Sequence, residues 1–383
     1  MADRRFGLLE AASLMVGAGV GAGIMAVPYL ASTVGLVGLA AILPLAWAAS
    51  AVVHLMLAEV LFRTGRDLQV VELMRLYVLR GRLGRPILWA VFALLSVAFV
   101  ANLAAYVAGA GEIVADLAGV DRRLAELLVY GISAGVVFFG LPAVGLAERF
   151  GAFLLVGLVA ILAIGAAGVP FDPPPGPSGE PEAWLALYGM VMYAYWTFYS
   201  VPQVVAGMVD DRRGAVRAIL VGLAVNGALT GAVAFVALGV SAEVTEVAIV
   251  GIADRLGDWT GVVGSLFIVA AFITSYWSVS LALADILRER TAMPVRAAWL
   301  LATLPSLLLL WVGAWAFLEW LGVAASATAI VVALITLPMY RRAQREGSVA
   351  IPAWSLGPWG SPVVLALALL ALVAMAIGAL IAI

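Results

Sequence analysis

Cysteine and lysine are absent from the sequence, and His54 is its single histidine. Without cysteine the chain has no disulfide, no thiolate metal site and no thiol nucleophile. Charged residues are also scarce, at 11% of the chain, where a soluble protein carries about a quarter. So few charges cannot cover a water-facing surface, and most of the surface is expected to face lipid. The net charge of −2 gives no indication of a nucleic-acid partner.

Hydrophobic residues make up 65% of the 383 residues, and the mean hydropathy is +1.12. A membrane-spanning helix needs about 20 mostly apolar residues. Eleven segments qualify: 8–33, 36–62, 86–115, 123–142, 148–169, 183–208, 215–240, 259–287, 295–318, 322–340 and 361–383. The sequence therefore predicts an all-α protein with a single transmembrane domain over residues 1–383. The first apolar run is interpreted as a span and not as a cleaved signal peptide.

The arginines predict the orientation of the chain in a cell membrane. With the N-terminus in the cytoplasm, eighteen of the 21 arginines lie on the cytoplasmic side. The other three, Arg122, Arg123 and Arg255, lie outside, as does the C-terminus. This asymmetry follows the positive-inside rule. Residues 67–78 mix polar and apolar side chains and predict a helix that lies on the cytoplasmic membrane surface.

The first span contains four alternating glycines between Gly17 and Gly23, followed by Pro28. Glycine weakens a helix and leaves the backbone uncovered. One interpretation is a broken helix, whose free N–H groups hold a carboxylate and whose free carbonyls hold an ammonium group or a cation. The alternative is close helix packing through small residues. The proline favours the broken helix.

The sixth span carries five aromatic residues between Tyr193 and Tyr199, in a stretch that ends in Val-Pro at Pro202. The glycine stretch of the first span ends in the same dipeptide, and the two spans run in opposite directions. This pattern favours an inverted repeat, with repeat one over residues 8–169, repeat two over 183–340 and an extra helix at 361–383. Core packing is the alternative explanation of the aromatic residues.

Polar residues inside the spans mark further candidate positions. Thr274 and Ser278 lie four residues apart on one face of the eighth span, and hydroxyl oxygens suit a hard cation. Hydrogen bonding between helices is the alternative. Glu59 is either a proton carrier or an anchor for nearby arginines, and His54 is either a satisfied core residue or a coupling group. Asn102, Tyr106 and Asn226 are candidates for the lining of a pathway.

The chain resembles the aromatic amino acid permeases, bacterial relatives of the amino acid/auxin permeases in the amino acid-polyamine-organocation superfamily. Val20-Gly-Ala-Gly-Ile-Met-Ala-Val-Pro28 is similar to the family's Ile-Gly-Ala-Gly-Met-Leu-Ala-Leu-Pro. Trp47, Leu57-Ala-Glu59-Val, Ala105-Tyr106-Val-Ala-Gly-Ala-Gly111 and Thr274-Ser275-Tyr-Trp-Ser-Val-Ser-Leu-Ala-Leu-Ala-Asp285 follow in the family's order. The resemblance implies the leucine-transporter fold and substrate symport, usually with protons.

The sixth span departs from the family pattern. The family reads Phe-Gly-Phe-His-Gly-Ser-Ile-Pro, whereas this chain reads Tyr195-Trp-Thr-Phe-Tyr-Ser-Val-Pro202. Trp196 and Tyr199 stand in place of the glycines, and Phe198 stands in place of the histidine. If these rings point into the site, they fill space that an aromatic substrate needs, so a small or aliphatic amino acid is expected.

Residues and resemblance together predict a secondary transporter with eleven spans that moves an amino acid, coupled to H⁺ or Na⁺, with no other cofactor and no obligate protein partner. The expected substrate-site residues are Gly17, Ala18, Gly19, Gly21, Ala22, Gly23, Asn102, Tyr106, Tyr195, Trp196 and Tyr199. The expected ion-coupling residues are Ala271, Thr274, Ser275 and Glu59, with Thr274 and Ser275 as the candidate sodium ligands. A nutrient-sensing receptor of the same fold, such as the membrane subunit of a spore germination receptor, is the alternative. An intramembrane enzyme is disfavoured, because no carboxylate pair is predicted at mid-membrane.

Overall fold

The computed structural model describes residues 6–173, 179–241, 244, 252, 255–312 and 317–382. Helices fill most of this part of the chain, and no strand occurs in it. The helices are α1 Leu8–Gly19, α2 Ala22–Thr64, α3 Val70–Tyr77, α4 Gly81–Ala118, α5 Arg122–Phe138, α6 Leu141–Ala166, α7 Pro181–Ala194, α8 Val201–Gly207, α9 Arg212–Val240, α10 Asp258–Thr291, α11 Val295–Val312, α12 Phe317–Glu346 and α13 Pro362–Ile381.

Seven helices within the described residues are long and apolar enough to cross a membrane. One of them is most of α2, which contains the predicted end of span one and all of span two, separated by a break at Gly35. Gly35 has φ 83°, a backbone conformation that favours glycine. Spans four, six and ten coincide with α5, with α7 and α8, and with α12. The prediction of an all-helical membrane protein is confirmed.

The boundary between spans four and five was predicted incorrectly. The structure ends α5 at Phe138 and begins α6 at Leu141, seven residues before the predicted start of span five. Gly140, with φ 80°, makes the turn, and Pro142 stands at the start of α6, where its missing N–H costs no hydrogen bond. As a result Glu148 lies about two helical turns inside α6, and not at its end.

The two predicted helix interruptions are present. The first separates α1 from α2 at Val20 and Gly21, both of which leave the helical conformation. The second separates α7 from α8 and includes a single 3₁₀ turn at Phe198–Ser200. Both interruptions are surrounded by protein. Within a membrane, non-helical backbone is tolerated only where protein buries it or where it lines a cavity.

The packing of the long helices fits the predicted repeat. Helix α4 packs against α12 as α10 packs against α6, and α4 packs against α5 as α10 packs against α11. In the predicted repeat, spans three, four and five correspond to spans eight, nine and ten. Each of these helix contacts therefore has its counterpart in the other repeat. Helix α13 lies outside this pattern and packs against α7 and α12.

Helix α13 meets α7 at backbone distance. A Cβ on Gly378 would lie 2.0 Å from the carbonyl oxygen of Leu185, and one on Gly189 would lie 2.5 Å from the backbone nitrogen of Ala379. Two glycines that face each other allow this approach, which is typical of helix contacts in membranes. The contact fastens the extra helix to the first half of span six.

Helix α3 occupies the position predicted for a helix on the membrane surface. Its apolar residues, including Val70, Leu73 and Tyr77, are buried, and they pack against α4, α10 and α12. Tyr77 also shares a 2.9 Å hydrogen bond with the hydroxyl of Thr64 at the end of α2. The structure therefore differs from the prediction, because protein covers the apolar face of α3.

Candidate substrate and cation site

The two interruptions meet at a central cavity with a volume of about 40 Å³, enough for roughly three water molecules. Helices α4, α10 and α12 complete its wall. Most of the predicted substrate-site residues line it: Ala18, Gly19, Gly21, Gly23, Asn102, Tyr106, Trp196 and Tyr199. Gly17 and Tyr195 do not line it, because Gly17 faces Glu148 and the Tyr195 side chain faces Gly227. The side chain of Ala22 lies outside the described part of the structure.

The first interruption presents backbone to the cavity. Helix α2 begins at Ala22, and the first N–H groups of a helix have no partner within it. A Cβ on Gly21 would lie 2.6 Å from Ser275 Oγ and 3.0 Å from the Tyr106 hydroxyl. A Cβ on Gly19 would lie 2.0 Å from Asn226 Nδ2. Only glycine therefore allows the neighbouring polar side chains to come so close to this backbone.

The second interruption has no glycine and is held by His54. The backbone N–H of Thr197 donates to His54 Nε2 at 3.1 Å, and His54 Nδ1 lies 2.7 Å from the carbonyl oxygen of Ser50. Because Nε2 accepts, the proton belongs on Nδ1, and the imidazole is neutral. The rings of Trp196 and Phe198 stand edge-on to the imidazole. The Thr197 N–H also donates to the Tyr195 carbonyl at 3.0 Å, so His54 adds a second acceptor, from α2, to the backbone of the break.

The aromatic residues of span six both pack and line the cavity. Trp196 stacks on Phe198, with ring centroids 5.6 Å apart, and Tyr199 meets Phe99 edge-on at 4.8 Å. Within the described residues, Trp196 Nε1, Thr197 Oγ1 and the Tyr199 hydroxyl are buried without a hydrogen-bond partner. Buried polar atoms usually have partners, so these three are available to a polar ligand in the cavity.

Span three contributes a second polar wall. The Tyr193 hydroxyl donates to Asn102 Oδ1 at 2.9 Å, and Tyr106 stacks on Phe272 with ring centroids 5.8 Å apart. Asn226 lies on the other side of α1, where its Nδ2 donates to the carbonyl of Met15 at 3.1 Å. This bond ties α9 to α1, so the structure gives Asn226 a supporting position.

Thr274 and Ser278 share one face of α10, as predicted, and that face packs against α6. Thr274 Oγ1 donates to the carbonyl of Ala271 at 3.0 Å, and its methyl group faces Gly151. Ser275 faces α1 and donates to the carbonyl of Gly17 at 2.8 Å. Ser275 therefore lies beside the first interruption, whereas Thr274 lies at the contact between α10 and α6.

Glu148 is the residue of this region that the sequence analysis overlooked. It is fully buried on α6, and Ser278 donates a short hydrogen bond to its Oε1. Its Oε2 has no hydrogen-bond partner within the described residues. Span five was predicted to start at residue 148, so Glu148 and the neighbouring Arg149 were interpreted as lying at the membrane surface. Gly140 and Pro142, which favour a turn and a helix start, are the sequence signal that could have revealed the earlier start of α6 at Leu141.

Glu59 lies away from the central cavity and has three partners. Arg63 Nε donates to its carboxylate at 2.7 Å, the Tyr340 hydroxyl at 3.0 Å and the backbone N–H of Leu356 at 2.8 Å. This geometry fits the anchor interpretation. It ties the segment before α13 to the end of α2.

A larger cavity, of about 580 Å³, opens on the side predicted to be cytoplasmic. It is lined by Pro202 on α8 and by Leu281, Ala284 and Asp285 on α10. The central cavity reaches Ser278 and Ala282 on the same helix. The two cavities therefore follow one another along α10, on a path toward the predicted cytoplasmic face.

The fold and this site define a membrane transporter with the leucine-transporter fold. The chain is similar to the solved structure of Mhp1, a nucleobase-cation-symport-1 family transporter in a closed conformation with bromovinylhydantoin bound. The match has a TM-score of 0.66 and 15% identity, and it covers 99% of this chain and 91% of that one. This likeness concerns the fold alone.

The tryptophan/tyrosine permease family model matches residues 4–379, and the chain belongs to this family. A search of curated proteins finds no significant match. Family and fold together indicate a transporter and not an enzyme. The resemblance inferred from the sequence motifs is confirmed.

Proposed function

We propose that the protein is a secondary active transporter that carries an amino acid across the cell membrane by symport with a cation. The observation that carries this proposal is the central cavity, where both interrupted helices end and which is lined by Trp196, Thr197 and Tyr199, each with a buried polar atom that has no partner within the described residues. A zwitterion suits this arrangement, because a helix N-terminus attracts a carboxylate and helix C-termini attract an ammonium group.

The substrate's carboxylate would lie at the start of α2, near Gly21 and Gly23. Its ammonium group would lie near the carbonyls that end α1 and α7, with Thr197 and Tyr199 as additional partners. Asn102 and Tyr106 would close the site from α4. These assignments use the groups that have no intrahelical partner.

A small or aliphatic amino acid is the proposed substrate, although the family is named for tryptophan and tyrosine. Trp196 and Tyr199 line the cavity, and each is held by a ring contact with Phe198 or Phe99. A packed site does not expand freely, since overpacking costs about 1–3 kcal/mol. These fixed rings leave little room for a third large ring.

Uptake of radiolabelled amino acids into proteoliposomes tests the transport function. A transporter accumulates its substrate when a proton or sodium gradient is imposed, and the accumulation ends when an ionophore collapses the gradient. A receptor of the same fold would bind the amino acid without moving it. Binding without uptake under either gradient would therefore contradict the proposal.

A sodium-coupled mechanism would use the oxygens of Ala271, Thr274, Ser275 and Gly17. The double substitution of Thr274→Ala and Ser275→Ala removes both hydroxyls and is expected to abolish sodium-driven accumulation. Thr303→Ala, which removes a buried hydroxyl of α11 away from the cavity, serves as the matched control. If the double variant retains full sodium-driven uptake, sodium does not bind at these residues.

A further inference from the structure

The buried carboxyl group of Glu148 is unusual because, in the described part of the chain, no positively charged side chain forms an ion pair with it. Its only hydrogen bond within the described residues comes from the Ser278 hydroxyl. A buried carboxylate without a cation is costly, since the lost hydration is not replaced. A carboxylic acid avoids this cost because it carries no charge. The surroundings of Glu148 therefore suit a bound proton.

The charged groups on the helices around α6 are engaged elsewhere or point outward. Arg149, the next residue on α6, is exposed, as is Arg217 on α9. Asp285 on α10 lies 3.7 Å from Arg288, and Glu10 on α1 accepts from the N–H of Gly7. On α5, Arg122 pairs with Glu126 at 3.0 Å. No salt bridge joins Glu148 to any of these described residues, and a bound proton would neutralise its carboxylate.

Glu148 is in direct contact with the first interruption. A Cβ on Gly17 would lie 1.6 Å from Glu148 Oε2, so the carboxyl oxygen occupies the space where any other residue would have a side chain. Gly17 lies in the last turn of α1, the half-helix that leads into the break. A change of charge on Glu148 therefore acts directly on the packing of α1 against α6.

Glu148 is also connected to the central cavity. Ser278, its hydrogen-bond donor, lines that cavity. The carbonyl of Gly17 accepts from Ser275, whose hydroxyl lies beside Gly21 at the cavity wall. Two short routes thus join the carboxyl group to the proposed substrate site, one through α10 and one through α1.

We propose that Glu148 is the group that binds and releases the coupling proton, so that the transporter is a proton symporter. This inference rests on the proposed function. The carboxylate takes one proton, which arrives from outside through the central cavity, and becomes a neutral carboxylic acid. Release of that proton to the cytoplasm restores the carboxylate.

The contact geometry favours a proton over sodium at this position. Glu148 Oε2 is already against the Gly17 backbone, which leaves no space for an ion between them, whereas a proton needs none. The neutral acid allows α1 to pack against α6. The charged carboxylate requires water, and water can reach it only when α1 separates from α6. Proton release is thereby linked to the opening of the site.

The decisive variant is Glu148→Gln, which keeps the shape and the neutral state but cannot release a proton. With one proton per substrate, a pH difference of one unit supports an about tenfold accumulation. In proteoliposomes the wild type should reach that level, and Glu148→Gln should fall to equal concentrations on the two sides. Exchange of labelled for unlabelled substrate, which needs no net proton movement, should continue in the variant. Glu112→Gln changes an exposed carboxylate and is the matched control.

The outcomes separate this inference from the proposed function. If the wild type neither accumulates nor exchanges any amino acid, the transport function itself fails, and the inference fails with it. If the wild type accumulates substrate and Glu148→Gln accumulates it equally, only the assignment of Glu148 fails. Accumulation driven by a sodium gradient and unaffected by a pH gradient also overturns it.

If Glu148→Gln loses all transport activity, a measurement that does not depend on transport still tests the assignment. Infrared difference spectroscopy between acidic and alkaline buffer detects the carbonyl stretch of a protonated carboxylic acid in the purified protein. The wild type and Glu112→Gln should show a band for a buried acid that Glu148→Gln lacks. An identical spectrum for the wild type and Glu148→Gln would overturn the assignment.

Discussion

The two helix interruptions reach the same cavity by opposite means. The first, around Gly21, uses small residues, so that polar side chains from α9 and α10 come within contact of the backbone. The second, around Thr197, is built from large aromatic residues, and His54 of α2 accepts a hydrogen bond from its backbone. The first break depends on the absence of side chains at its glycines. The second depends on the hydrogen bond that the His54 side chain accepts from Thr197.

This difference shows which residues determine each break. A glycine-rich break is local, because its own residues weaken the helix and leave the space that ligands need. An aromatic break is non-local, because residues with moderate helix propensity stay unwound only when another element satisfies their backbone. The first break is therefore expected to be disrupted when a side chain is added at one of its glycines. The second is expected to be disrupted when His54 is replaced.

Removal of His54 should have the largest effect. His54→Phe keeps an aromatic ring but removes the hydrogen bonds that the imidazole makes with the Thr197 N–H and the Ser50 carbonyl. At about 0.5–1.5 kcal/mol for each lost hydrogen bond, the two losses together predict a clear drop in thermal stability in detergent. Tyr195→Phe, which loses only a 3.3 Å hydrogen bond to the Leu43 carbonyl, is the control. Equal melting temperatures for His54→Phe and the wild type would show that the aromatic break supports itself.

Gly23→Ala should be the next most damaging change. Its Cβ would lie 3.0 Å from the Cα and the nitrogen of Ala194, and backbone atoms cannot rotate away. Overpacking of this kind costs about 1–3 kcal/mol, with a matching loss of stability and of substrate binding. Gly131→Ala on α5 meets no atom within 4 Å and should be neutral or slightly stabilising. If both alanine variants behave alike, close approach does not define the first break.

Trp196→Gly should convert the aromatic break toward the family's glycine pattern and change the substrate preference. The native protein should prefer small or aliphatic amino acids, and the variant should gain affinity for larger ones, by about tenfold for each 1.4 kcal/mol of recovered contact. A competition panel against labelled substrate measures this shift, with Trp47→Gly as a control outside the cavity lining. Tight binding of tryptophan by the native protein would contradict the size argument.

Tyr193→Phe should have the smallest effect. It removes the 2.9 Å hydrogen bond to Asn102, a loss of about 0.5–1.5 kcal/mol. Because both partners line the cavity, substrate affinity should fall more than thermal stability does. Asn102→Ala provides the second arm of the pair. Additive losses in the double variant would show that the two side chains act separately.

Much of the fold could be predicted from the sequence, because lipid imposes strong constraints on apolar length and backbone hydrogen bonds. The glycines around Gly21 identified the first break through their own chemistry. The support of the second break could not be predicted, since nothing in the residues near Thr197 specifies that His54 faces them. Glu148 was overlooked for a related reason, because a shift of a few residues at the start of α6 changes a surface position into a buried one.

The close contact between Gly189 and Gly378 has a mechanical consequence. Because the two backbones are in contact, a change in the tilt of α7 is expected to displace α13, which also packs against α12. The last helix is therefore expected to move with the first half of the interrupted span six. A fluorophore attached to the lipid-facing side of α13 would report the movement of the substrate site from its outer edge.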